Sequence, residues 1–220
     1  MAEATQADDV SGIDERHGGG TSMIVSFGPW IAVWVLTSNS SYIPGLLVAT
    51  ALAAGLLVFD RYEGRSTKLL NVGTLVVMAG VTIVGVVTDA SWMDTWLSPI
   101  LNGFLLLIMV ASVAVGRPFT MEYAKESAPP EVWDTPAFRH INTMITWVWI
   151  AAVAAMFVGA IVVALLQSGD IVTDPQTQKS IESWANWGVT IVALVVAMKF
   201  TGWYPDAYKE RQQRLHGQAA

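Results

Sequence analysis

The stretch 117–140, RPFTMEYAKESAPPEVWDTPAFRH, carries the greatest chemical variety in this 220-residue chain. It mixes Glu122, Glu126, Glu131 and Asp134 with Arg117, Lys125, Arg139 and His140, and it interleaves Phe119, Met121, Tyr123, Trp133 and Phe138. Carboxylates such as Glu122, Glu126 and Asp134 could serve as bases or metal ligands acting on a lipid headgroup, but their spacing defines no such site. Contact chemistry suits these residues better. Arg117, Lys125, Trp133, Arg139 and His140 are the candidates to meet lipid phosphates or a protein partner, since cationic side chains make charge-assisted hydrogen bonds to phosphate. A second set, Asn71, Thr82, Asn102, Asn142 and Asn186, sits inside apolar runs. Polar groups so placed most often bond one helix to the next, at about 0.6–2 kcal/mol each. A substrate path built from Asn71, Thr82 and Asn102 is the alternative.

Other chemistries are excluded by what is missing. The chain has no cysteine, so disulfides, thiolate ligands, iron–sulfur clusters and thiol nucleophiles are out of reach. Its three histidines, His17, His140 and His216, lie outside the apolar runs and cannot supply a di-iron or haem site from one chain. No phosphate-cradling glycine loop, zinc spacing or Ser–His–Asp set is present. No catalytic residue, metal or cofactor is therefore expected, and nucleic acid is not among the expected partners.

The elements that must position these residues are set by hydropathy. Apolar residues make up 53% and charged residues 14%, against about 25% charged in an ordinary soluble domain. Six apolar segments follow, at about 23–37, 42–60, 69–88, 95–116, 141–167 and 183–200. Five have the length to cross roughly 30 Å of hydrocarbon. The first is short and carries Gly28-Pro29. It reads either as a kinked span or as a re-entrant hairpin; charge barely separates the two, and the span is the expectation.

Basic residues orient the whole. Arg16 precedes the first segment; Arg61, Arg65 and Lys68 follow the second; Arg117, Lys125 and Arg139 follow the fourth; Lys199, Lys209, Arg211 and Arg214 close the chain. Lys179 alone falls on the other side. This alternation predicts an all-α polytopic transmembrane bundle with both termini in the cytoplasm. Residues 1–22 read as a disordered acidic tail, 117–140 as an inner amphipathic connection of interfacial helical turns broken at its prolines, and 204–220 as a basic tail. Trp92, Trp96, Trp184, Trp187 and Trp203 flank the segments as an interfacial belt. Small residues such as Ala49, Ala53, Gly55, Gly73, Gly80 and Gly85 predict close helix packing. No Asp, Glu, Arg or His lies at mid-span, so a titrating group inside the bundle is not expected.

Several short motifs make the chain similar to the intracellular septation protein A family of small inner-membrane proteins. They are Phe27-Gly28-Pro29-Trp30, Val48-Ala49-Thr50-Ala51 before an inner basic turn, Arg117-Pro118, Pro129-Pro130-Glu131-Val132-Trp133, and Asn142 leading to Trp147-Val148-Trp149. The resemblance covers about 23–208. It implies an integral inner-membrane protein involved in envelope maintenance, septation or cell division through contacts with other membrane proteins. Together with the absent catalytic set this predicts a non-enzymatic scaffold or accessory protein, whose expected partners are the bilayer, membrane proteins and a second copy of the chain in a homo-oligomer. The acidic N-terminal tail, the stretch 171–179 and the long basic end depart from the family's plan. A small transporter or channel subunit is the alternative function.

Overall fold

In a computed structural model of the chain, residues 18–37, 42–88, 92–168 and 184–217 are described, together with a few positions between 174 and 181. Their regular structure is entirely helical: α1 (Gly18–Ser26), α2 (Gly28–Thr37), α3 (Tyr42–Tyr62), α4 (Leu69–Thr88), α5 (Trp92–Ala114), α6 (Phe119–Ser127), a 3₁₀ turn (Pro130–Val132), α7 (Pro136–Ser168), a π turn (Trp184–Gly188) and α8 (Val189–Gly217). Among the described residues α3, α4, α5 and α7 are long and apolar enough to cross a membrane, and α2 is a shorter apolar helix.

The first segment is a broken rod rather than a folded-back hairpin. Helical bonds run across the break at Phe27, whose N–H reaches the Met23 carbonyl at 3.3 Å and whose carbonyl accepts from Ile31 N–H at 3.0 Å. Helix α1 packs on α6, whereas α2 packs on α3. Helix begins at Gly18, not near residue 23, because docking on α6 overrides the weak propensity of three successive glycines. The rest of the expected tail, 1–17, lies outside the described residues.

Other boundaries move for identifiable reasons. Helix α7 starts at Pro136, whose missing N–H costs nothing in a first turn, and the Thr135 hydroxyl accepts the Phe138 N–H at 3.3 Å as its cap. Arg139 and His140 thus belong to a helix instead of a loop. The connection before α7 holds the expected pair of short helical pieces, α6 and the 3₁₀ turn. Helix α8 continues through Pro205 to Gly217, so no break marks a separate tail at 204. Tyr204 holds that extension to α7 through a 3.3 Å hydrogen bond with His140.

Packing follows the rules of a lipid solvent. Only 28–39% of the most apolar stretch of each long helix is buried, and the exposed side chains are Val58, Val76, Val87 and Leu107 rather than charges. With apolar surroundings outside as well as inside, helices associate by close fit. Ala49 and Ala53 are fully covered. A Cβ on Gly85 would stand 3.0 Å from the Tyr42 ring and 3.2 Å from Met93 Sδ, whereas Gly55 and Gly80 face open space. In sequence these three glycines look alike.

Gly85→Leu is therefore expected to destabilise the bundle by about 1–3 kcal/mol, and Gly80→Leu to stay within about 0.5 kcal/mol of the parent. Thermal unfolding in detergent checks both; equal effects would rule out this packing.

Candidate functional site

Two glycine-capped corners build one end of the molecule. Gly64 and Gly116 adopt φ of 68° and 71°, a left-handed conformation that a side chain disfavours. Each ends a helix with the paired bonds of a tight cap: Arg65 N–H to the Asp60 carbonyl at 2.8 Å after α3, and Arg117 N–H to the Ser112 carbonyl at 2.9 Å after α5. The Ser112 hydroxyl then accepts the Phe119 N–H at 3.1 Å, folding the start of α6 back onto α5.

Between these corners sits a buried ion cluster. Lys68 is 1% exposed, and its Nζ lies 3.3 Å from Asp60 Oδ1 and 2.8 Å from Glu126 Oε1. Asn71 Nδ2 donates to Asp60 Oδ2 at 2.8 Å. The ammonium also stands 5.3 Å from the centre of the Tyr123 ring, within cation–π range. One turn back on α6, Glu122 Oε2 accepts the Leu69 N–H at 2.8 Å and so caps α4 from another helix. Residues of α3, α4, α6 and the α3–α4 connection are thereby tied into one unit.

Burial shapes the acidities of α6. Desolvation pushes the Glu122 carboxyl above its ordinary range, opposed by the Leu69 hydrogen bond and by Arg117, Lys68 and Lys125. Burial drives the Tyr123 phenol far upward, opposed by Ser26. Among the described residues no group of three or more His, Cys, Asp or Glu is placed to hold a metal ion.

The expected contact residues border this unit. Arg117, Lys125, Arg139 and His140 are exposed and Trp133 is half-buried. Lys125 Nζ lies 5.2 Å from the Trp133 ring centre, and Trp133 Nε1 donates to the Ala128 carbonyl at 2.9 Å. Arg139 pairs with Asp134 at 2.8 Å, and His140 turns to Tyr204 and Tyr208 of α8.

The polar residues of the apolar runs divide three ways. Asn71 joins the ion cluster. Thr82 binds the Met78 carbonyl and shares a 2.9 Å hydrogen bond with Thr50, linking α3 to α4. Asn142 donates to the Phe138 carbonyl of its own helix, while its carbonyl accepts from Thr120 of α6. Asn102 reaches only Ser98 at 3.4 Å and borders a cavity. The side chain of Asn186 lies outside the described residues.

Sequence reasoning missed the centre of the site. Lys68 was one of several loop cations and Asp60 merely ended a span, yet both are buried; an ion pair does lie buried at the edge of the bundle. A signal was available: Glu122 and Glu126 stand at i, i+4 and so share one face of α6. Two acids on one side of a short amphipathic helix call for a cation opposite.

Fold and site together define an all-helical membrane protein with an ion cluster buried at its basic end. Compared with known proteins, the chain matches no family model, no curated protein and no solved structure.

Lys68→Met should cost about 3–5 kcal/mol, because it leaves buried Asp60 and half-buried Glu126 without their cation. Adding Asp60→Asn and Glu126→Gln should recover most of the loss, as read by denaturation in micelles. A harmless single variant would refute the cluster's role. Glu122 supplies a pH test. Its raised value means the folded chain holds this proton more tightly, so its contribution favours folding at low pH and declines as pH rises from 4.5 through the folded value. The wild type should lose stability relative to Glu122→Gln over that window; parallel curves would contradict the burial effect.

Proposed function

We propose that this chain is a six-span, non-enzymatic scaffold or accessory protein of the inner membrane, with both termini cytoplasmic. The observation that carries the reading is the Lys68 cluster, which fixes amphipathic α6 against the ends of α3 and α4. A connection held this firmly presents Arg117, Lys125, Arg139 and His140 as a platform at the basic end. Basic side chains at that level favour the cytoplasmic leaflet and its anionic lipids. The α1–α2 rod supports a spanning first segment: at roughly 1.5 Å per residue it is about 30 Å long, and its two halves pack at different helices along the bundle. The sixth span would run through the π turn into the first half of α8.

A role in septation, cell division or the wider envelope rests on the family resemblance. Two motifs that carry it lie on the platform: Arg117-Pro118 forms the α5–α6 corner, and 129–133 forms the 3₁₀ turn with Trp133 folded back on Ala128. The alternative, a small transporter or channel subunit, is favoured by the cavity beside Asn102.

Reporter fusions after Asp89 and after Ala220 are expected to give opposite signals. Reversing charge at Arg117 and Arg139 together is expected to leave stability within about 0.5 kcal/mol while reducing the partners recovered after in-membrane crosslinking. Unchanged recovery would count against the platform, and matching reporter signals against the six-span map.

A further inference from the structure

A cavity of about 320 Å³ separates α1 and α2 from α5, α7 and α8. Its size is at the lower end of the range that holds small organic ligands, about 300–1,000 Å³. The wall is mainly apolar, and Trp30, Trp34 and Tyr42 contribute aromatic rings to it. Ile24, Ile31 and Met198 line it while remaining exposed on the flank between the first and last helices. Exposed apolar side chains of this kind also cover the long helices. The polar groups are Thr37, Ser98, Asn102, Thr190 and one carboxylate, Asp94.

Asp94 is the only charged residue in the wall; it is itself exposed and forms no ion pair among the described residues. As a first-turn residue of α5 it complements the helix dipole, but that role requires no hollow beneath it. Aromatic rings and an exposed carboxylate beside an apolar space share organic cations as a complement. Organic cations gain from ring faces and from the anion, while their hydrocarbon replaces the void.

We propose that this cavity binds a lipophilic cation, an amine or quaternary ammonium on an apolar body, which enters from the membrane flank and sets its charge near Asp94. The site is independent of the scaffold reading. Its ligand is either a membrane lipid with an amine headgroup or a free amphiphilic cation.

The test uses the full chain in nanodiscs of phosphatidylglycerol, which carries no amine, with empty nanodiscs as the background. Radiolabelled phenyltrimethylammonium is expected to bind saturably, and about tenfold more tightly than tert-butylbenzene, its uncharged isostere, measured by competition. Asp94→Asn should abolish that preference and leave the affinity for the isostere in place. Leu101→Trp, which fills the hollow, should remove both; Asn102→Phe replaces it if gel filtration shows misfolding. Adding phosphatidylethanolamine decides the source: competition assigns the site to a lipid, no competition assigns it to a free cation, and either result requires the site. Absence of saturable binding, equal affinity for cation and isostere, or an Asp94→Asn variant that still prefers the cation would overturn the proposal.

Discussion

An ammonium removed from water costs several kcal/mol unless anions stand against it. The burial of Lys68 imposes that requirement on everything at the basic end. Asp60 arrives from α3 and Glu126 from α6, so the two chain segments cannot separate without stranding a charge. The glycine caps at Gly64 and Gly116 make the meeting possible, because each reverses the chain within a few residues. Asn71 and the Tyr123 ring stand beside the charges. An ionised carboxylate can only accept, so Asn71 turns its amide N–H toward Asp60.

Away from that cluster the forces differ. The long helices keep apolar faces on the outside, so the contrast between water and oil contributes little to their mutual attraction. Close approach at Ala49, Ala53 and Gly85 supplies fit. Hydroxyls supply most of the cross-links: Thr50 with Thr82, Thr120 with Thr146, Trp30 with Thr74 and Trp149 with Thr201. Threonine serves well here because its hydroxyl also binds a carbonyl one turn back, as Thr82 and Thr201 do, and is then held in place for a partner. Trp30 and Trp149 are structural ties between helices, unlike the exposed Trp92, Trp184 and Trp203.

The molecule therefore combines an end tied by charge with a cavity farther along the helices. Around Lys68, α3, α4 and α6 are tied by ion pairs and hydrogen bonds, and Leu70, Phe119 and Tyr123 are buried beside them. Farther along, α2 packs on α3 and leaves space between itself and α5, α7 and α8. A first segment broken at Phe27 accommodates both, since α1 follows α6 while α2 follows α3.

Hydropathy and length were enough to locate the four long helices, and the prolines at 129, 130 and 136 marked the short pieces between α5 and α7. Those features depend on local composition, and lipid rewards them wherever they occur. Boundaries were less legible: Gly18 joined a helix and Tyr204 did not end one, because α6 and His140 hold them from a distance. The ion cluster was hidden for the same reason. Lys68 and Arg65 look alike in a string of residues, and only the meeting of α3 with α6 makes one a buried counterion and leaves the other in the open. A single chain order determines which stretches prefer oil to water; which charges must face each other is decided when the helices pack, since electrostatic pairing depends on distance in space rather than along the backbone.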